Sequence, residues 1–158
     1  SDKQADVAVK TFQARRSETE TLQQFLQDVA MVRDLSHPHL LRVVGAVVTP
    51  SDDPTIVMPF MATEDLGSYV REPAKSLSLA DLLIYCYQIA DAMSYLENLR
   101  IVHRNLAARN CIILEEEGKA ASIRLTDYVV TASLFPKEFF IGEGGVSELV
   151  RWMAPETV

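Results

Sequence analysis

The sequence predicts an α+β fold in two unequal parts, and three observations carry that expectation. Short β-prone runs and one amphipathic helical pattern occupy the stretch up to Phe60. The longest helical pattern, Ser78 to about Glu97, comes only after it. Two short apolar runs beyond that helix read as a hairpin, and the parts divide as 1–60 and 61–158.

Taken in order, Val7 to Phe12 is the first β-prone run, with Lys10 near its centre. Ser17 with Glu20 three residues later has capping-box spacing and announces a helix. Leu22, Phe25, Leu26, Val29 and Val32 recur at helical spacing and paint its apolar face. Ser36-His37-Pro38 stops it. Leu40–Val48 and Thr55–Phe60 read as strands around a turn at Pro50-Ser51-Asp52-Asp53-Pro54. Glu64 to Val70 reads as one short helix. The long helix places Leu82, Tyr85, Cys86, Ile89, Ala90, Met93 and Leu96 on one face. Cys111–Leu114 and Ser122–Leu125 then form the hairpin about the acidic turn Glu115-Glu116-Glu117-Gly118. The tail from Thr126 to Val158 has little periodicity and reads as a long loop, a feature usually functional or disordered.

Composition excludes several classes of function. With 158 residues, 48% hydrophobic and 23% charged, the chain fits one domain or a fragment of one, and it has the apolar content for a core. A net charge of −7 argues against a nucleic-acid binder or a polybasic membrane surface. No uncharged run approaches the ~18 residues of a membrane span. The polar start Ser1-Asp2-Lys3-Gln4-Ala5-Asp6 reads as a cut inside a longer product. Cys86 and Cys111 lie in apolar stretches without C-x-x-C spacing, so they read as buried free thiols in a reducing compartment. His37, His39 and His103 lack partners at metal-ligand spacing, and no structural metal is expected.

The decisive stretch is His103-Arg104-Asn105-Leu106-Ala107-Ala108-Arg109-Asn110. It resembles the tyrosine-kinase catalytic loop H-R-D-L-A-A-R-N with one change. Three more matches follow the family's order: Val7-Ala8-Val9-Lys10, Asp127-Tyr128-Val129 where D-F-G belongs, and Arg151-Trp152-Met153-Ala154-Pro155-Glu156. One such match would be weak; four in order span essentially the whole chain. The resemblance implies a two-lobe protein-kinase-like fold, incomplete at both ends. Residues 1–60 would be a partial N-lobe with a strand, a regulatory helix, two strands and the hinge start. Residues 61–158 would be a partial C-lobe with the long helix, catalytic loop and activation segment.

The resemblance also assigns roles. Lys10 matches the lysine that holds the nucleotide's phosphates, and Asp28 falls where the family has its pairing Glu, one methylene longer. Without the resemblance, Lys10 is a solvated edge residue and Asp28 one more charge on a helix edge. Ala8 and Ile112 match the ceiling and floor of the adenine pocket, Met58 the gatekeeper, and Pro59 and Met61 the hinge positions facing adenine. Pro59 lacks an N–H but keeps its carbonyl. Asn110 and Asp127 match the magnesium ligands, conditional on a nucleotide supplying more oxygens. ATP and magnesium are therefore the implied cofactors, held weakly or not at all by this incomplete chain.

Asn105 replaces the family's catalytic base, and an amide is no effective base at pH 7. Arg104 and Arg109 complete the catalytic-loop positions; in the family, Arg104 often meets an activation-loop phosphate. Val129 replaces the D-F-G glycine, and Phe139-Phe140 lies where many receptor kinases carry paired tyrosines. Val32, Val43, His103 and Tyr128 match the family's hydrophobic spine, and the Tyr128 hydroxyl needs a partner if buried. Together these departures imply a signalling pseudokinase, partnered by a signalling protein or another kinase in the cytoplasm, either free or as the inner part of a membrane receptor. A weakly active tyrosine kinase and an inert truncation product are the alternatives.

Overall fold

A computed structural model describes residues 6–11, 19–49, 53–61, 64–103, 105–115, 118, 120–128 and 152. Its architecture is mixed α+β, in two compact units. One contains the chain up to Leu35 together with Arg42–Phe60; the other contains Ser36–Leu41 and Met61–Tyr128.

In the first unit, β1 (Val7–Thr11), β2 (Gly45–Val47) and β3 (Thr55–Pro59) form an antiparallel sheet ordered β1-β3-β2. The twofold period of a strand puts Ala8 and Lys10 on a half-buried face, while Val7, Val9 and Thr11 are exposed. Helix α1 (Thr19–Arg33) buries Phe25, Val29 and Val32, spaced four and three apart. That stripe is narrower than the sequence suggests, because Leu26 is exposed. Asp28, by contrast, is only 9% exposed, so the reading of a charge on an open helix edge fails. The expected cap Ser17 lies outside the described residues.

Pro59 ends the central strand without costing the sheet a bond. The Val44 N–H donates to the Val57 carbonyl at 2.8 Å, and the Phe60 N–H to the Asp6 carbonyl at 3.3 Å. Val57 therefore faces β2 and Phe60 faces β1, so Pro59, two residues beyond Val57, also faces the β2 side. There the ladder already ends at the Gly45–Val57 pair. A missing N–H is tolerated at such a place.

The expected strand Leu40–Val48 is only Gly45–Val47, and the reason is competition for its backbone. The Leu41 N–H donates to the Leu125 carbonyl, and the Leu125 N–H to the His39 carbonyl, both at 2.9 Å. Leu40 accordingly makes a parallel bridge to Leu125. Ser36–Leu41 is held by side chains as well. The Ser36 N–H donates to Tyr95 Oη at 3.3 Å, and His39 Nδ1 donates to the Ile123 carbonyl at 3.1 Å. His37 stacks on Tyr95 and places Nε2 3.3 Å from the Asp91 carboxylate.

The rest of the second unit is α2 (Leu66–Tyr69), α3 (Leu79–Asn98), a 3-10 turn at Ala108–Asn110, and the hairpin β4 (Cys111–Leu114) with β5 (Ser122–Leu125). Asp65 caps α2 by accepting the Ser68 N–H at 2.9 Å. Ser78 caps α3 through a reciprocal capping box with Asp81. Helix α3 buries Tyr85, Ala92 and Leu96, whereas Leu82, Cys86 and Ala90 of the expected face are exposed. A polar residue belongs to its packed side as well. Gln88 Oε1 accepts the Ile123 N–H at 2.6 Å, and Gln88 Nε2 donates to the Ala121 carbonyl at 3.3 Å. Apolar periodicity is blind to such a contact. Cys86 is thus an exposed thiol, contrary to the sequence reading, while burial pushes the Cys111 thiol up to about 11. Among the described residues, no helix is long and apolar enough to cross a membrane.

Candidate functional site

The site residues expected from the sequence fall into two sets, one in each unit. In the first, strand register does the placing. Ala8 stands opposite Met58 and Lys10 opposite Ile56, so Ala8, Lys10 and Met58 share one face of the sheet. Pro59 pairs with Val7, and its carbonyl shares the open side described above. Asp28 lies on α1, buried with Phe25, Val29 and Val32; neither it nor Lys10 lacks an interaction partner. A carboxylate at that depth requires compensation.

The second set is organised by the hairpin. Pairing Cys111 with Leu125 brings the residue before β4, Asn110, beside the residue after β5, Thr126. The Thr126 N–H donates to the Asn110 carbonyl at 2.8 Å, and Thr126 Oγ1 donates to the same oxygen at 3.1 Å. Asp127 follows directly after this junction, in which one carbonyl ties residues 16 positions apart in sequence. Asp127 has a φ of +60°, the left-handed region, which costs an ordinary L residue roughly 1–2 kcal/mol and is least unfavourable for Asn and Asp.

The loop before β4 is tied in the same way. Asn110 Nδ2 donates to the Asn105 carbonyl at 2.6 Å, which leaves Asn110 Oδ1 as its remaining oxygen donor. Asn105 Oδ1 accepts from Arg109 Nη2 at 3.3 Å. The Asn105 N–H donates to His103 Nδ1 at 3.2 Å. His103 therefore carries its proton on Nε2, an atom that is buried without a hydrogen-bond partner. The residue is 1% exposed, and burial holds its pKa below the ordinary value. His37 repeats the pattern: its Nδ1 accepts the His39 N–H at 3.1 Å, and burial lowers its pKa against the opposing pull of Asp91.

Chemically, Asn110 Oδ1 and the Asp127 carboxylate are hard oxygen donors of the kind magnesium takes. Two donors fall short of its octahedral shell, so the pair suits a metal that arrives with phosphate oxygens and waters. Among the described residues, no group of three or more His, Cys, Asp or Glu side chains could hold a metal by itself. Ile112 lies on β4, half-buried, and Met61 opens the long stretch of the second unit. Arg104, Val129, Phe139-Phe140 and all of Arg151–Glu156 except Trp152 lie outside the described residues.

Tyr128 is 3% exposed, and its hydroxyl donates to the Leu41 carbonyl at 2.5 Å, so the buried hydroxyl does have its partner. Burial pushes that phenol up to about 12. Sequence reasoning missed Thr126, whose only signal was its position at the end of β5. It also missed Glu115, read as part of a solvated turn. Glu115 accepts from the Tyr69 hydroxyl at 2.7 Å and from Lys75 Nζ at 2.6 Å, fastening α2 to the hairpin.

Comparison with known families gives a match over the full sequence. The profile described as protein tyrosine and serine/threonine kinase covers residues 1–158.

Two outcomes follow from this geometry. Asn110→Ala removes the donor to the Asn105 carbonyl and should lower unfolding free energy by about 1–2 kcal/mol, measured by urea titration; an unchanged midpoint would show the bond to be idle. The second concerns pH. His37 and His103 resist protonation when folded, whereas the unfolded chain binds protons near 6.5. Stability should therefore be full above that value and fall as pH drops through it, read as a lower denaturant midpoint at about pH 5.5 than at about pH 7.5. A flat profile would contradict the assignment.

Proposed function

The chain belongs to the protein tyrosine and serine/threonine kinase family, and from that premise we propose that it is a pseudokinase of the tyrosine branch that binds ATP with magnesium and acts in signalling without efficient phosphate transfer. The observation that carries this reading is Asn105. The family's kinases use an Asp there to accept the substrate hydroxyl's proton. An amide cannot take that proton, and this one already accepts from Arg109 at 3.3 Å. Loss of a general base lowers the rate by roughly 10²–10⁴-fold.

Nucleotide binding rests on different residues, which are kept. Lys10 serves the phosphates, with Asp28 as its shortened carboxylate partner. Ala8, Met58, Pro59, Met61 and Ile112 serve adenine, and Asn110 and Asp127 serve magnesium. What supports the magnesium assignment is the shared fastening of Asn110 and Thr126, together with the hard-donor character of both side chains. Val129 in place of glycine and Phe139-Phe140 in place of paired tyrosines further support a non-catalytic role, because they remove backbone freedom and phosphate acceptors. The partner class that fits is another kinase or a signalling protein.

Restoring the base tests the reading. Phosphate transfer to a tyrosine peptide by Asn105→Asp alone should stay far below the ~1–100 s⁻¹ of working kinases, because Asp28 and Val129 remain uncorrected. Adding Asp28→Glu and Val129→Gly should raise it further. A rate in the working range from Asn105→Asp alone would make the chain a kinase lacking only its base.

A further inference from the structure

Asp127 is an L residue held at a φ of +60°, a conformation that persists only where the surroundings enforce it. Both of its neighbours are fastened. On one side, Thr126 gives two hydrogen bonds to the Asn110 carbonyl. On the other, Tyr128 is buried and its hydroxyl reaches the Leu41 carbonyl. Leu41 is itself fixed, since its N–H donates to the Leu125 carbonyl at 2.9 Å, and Leu125 is paired across the hairpin with Cys111. The chain from Leu125 to Tyr128 is thus anchored at both ends to one strand pair, with the left-handed residue between the anchors.

The phenylalanine that the family's D-F-G motif carries could supply the ring but not the second anchor. From this we infer that the Tyr128 hydroxyl is a positioning device: its bond to the Leu41 carbonyl fixes Asp127 in its left-handed geometry and so sets how that carboxylate meets a magnesium–nucleotide complex. The inference deepens the proposed nucleotide-binding role and rests on it for the ligand, but the tether itself is independent of any ligand. Tyr128 makes its effect through Asp127 and is not itself a metal ligand.

The test uses the whole chain and the variant Tyr128→Phe, which keeps the ring and removes one oxygen. Without nucleotide, amide hydrogen exchange at Thr126 and Asp127 should speed up by about three- to tenfold, the range of one hydrogen bond's net contribution. In the unaltered chain, the Tyr128 hydroxyl proton should exchange slowly enough to be seen by NMR, a signature that needs no variant. Unchanged exchange in Tyr128→Phe, or no protected hydroxyl proton in the unaltered chain, would overturn the tether.

The link to the ligand is read from the gain in ATP affinity on adding Mg²⁺, compared in the unaltered chain, Tyr128→Phe, Asp127→Asn and the double variant. Tyr128→Phe should reduce that gain by about three- to tenfold, leave metal-free ATP binding alone, and have no further effect on top of Asp127→Asn. An equal loss with and without Mg²⁺, or an additive loss in the double variant, would reduce Tyr128 to a packing residue and overturn the inference. If the unaltered chain binds no nucleotide at all, the nucleotide-binding reading fails, and hydrogen exchange alone decides the tether.

Discussion

The pairing of Cys111 with Leu125 is the constraint on which the second unit depends. A side chain changes face with every residue, so a slip of one position would put the buried set of one strand on the face opposite its partner's. In the observed register Cys111, Ile113, Ile123 and Leu125 are all buried. The same register sets Asn110 against Thr126 and leaves the outer edge of β5 open to the backbone of Leu41. Asn110, Thr126 and the Ser36–Leu41 segment are therefore tied to one four-residue ladder.

That arrangement explains why so much polar matter lies in the interior. Gln88 and Thr126 spend polar atoms on the backbone of another segment, and His37 reaches the Asp91 carboxylate. A buried polar group without a partner is expensive, so each such bond specifies which segments lie together. Nε2 of His103 is the exception, the buried side-chain polar atom among the described residues that has no hydrogen-bond partner. Both histidines also use Nδ1 to accept the N–H two residues on, which closes the turns His37–His39 and His103–Asn105 in the same manner.

Elements built on a clear period were legible in the sequence. The span of α3, the hairpin and the strand at Thr55 appear within a residue or two of where the pattern puts them. Reading failed where a polar residue or a distant backbone decided the outcome. Gln88 sits on the packed side of α3, which apolar spacing does not show, and the backbone of Leu40 and Leu41 pairs with Leu125 instead of extending β2. The family was legible because the order of the four motifs along the chain is itself the signal. Thr126 and Leu41 were not, because each acts through its backbone or position, which carries no mark in residue type. The hydroxyl of Tyr128 announced that it needed a partner, and only the fold could say which.

On the proposed reading, binding and transfer are separable in this chain. The residues that would hold a nucleotide and its magnesium are oxygen donors, a lysine and apolar walls. The one position that must take up a proton is an amide engaged with Arg109. Equilibrium binding and turnover measured in one sample test that separation most directly. The unaltered chain is titrated with ATP and Mg²⁺ while amide signals of Lys10, Asn110 and Asp127 are followed, and ADP is assayed alongside. Saturable, Mg²⁺-dependent shifts at these residues without ADP beyond the spontaneous background are the predicted result. Absence of binding, or ADP formed at the ~1–100 s⁻¹ of working kinases, would contradict it.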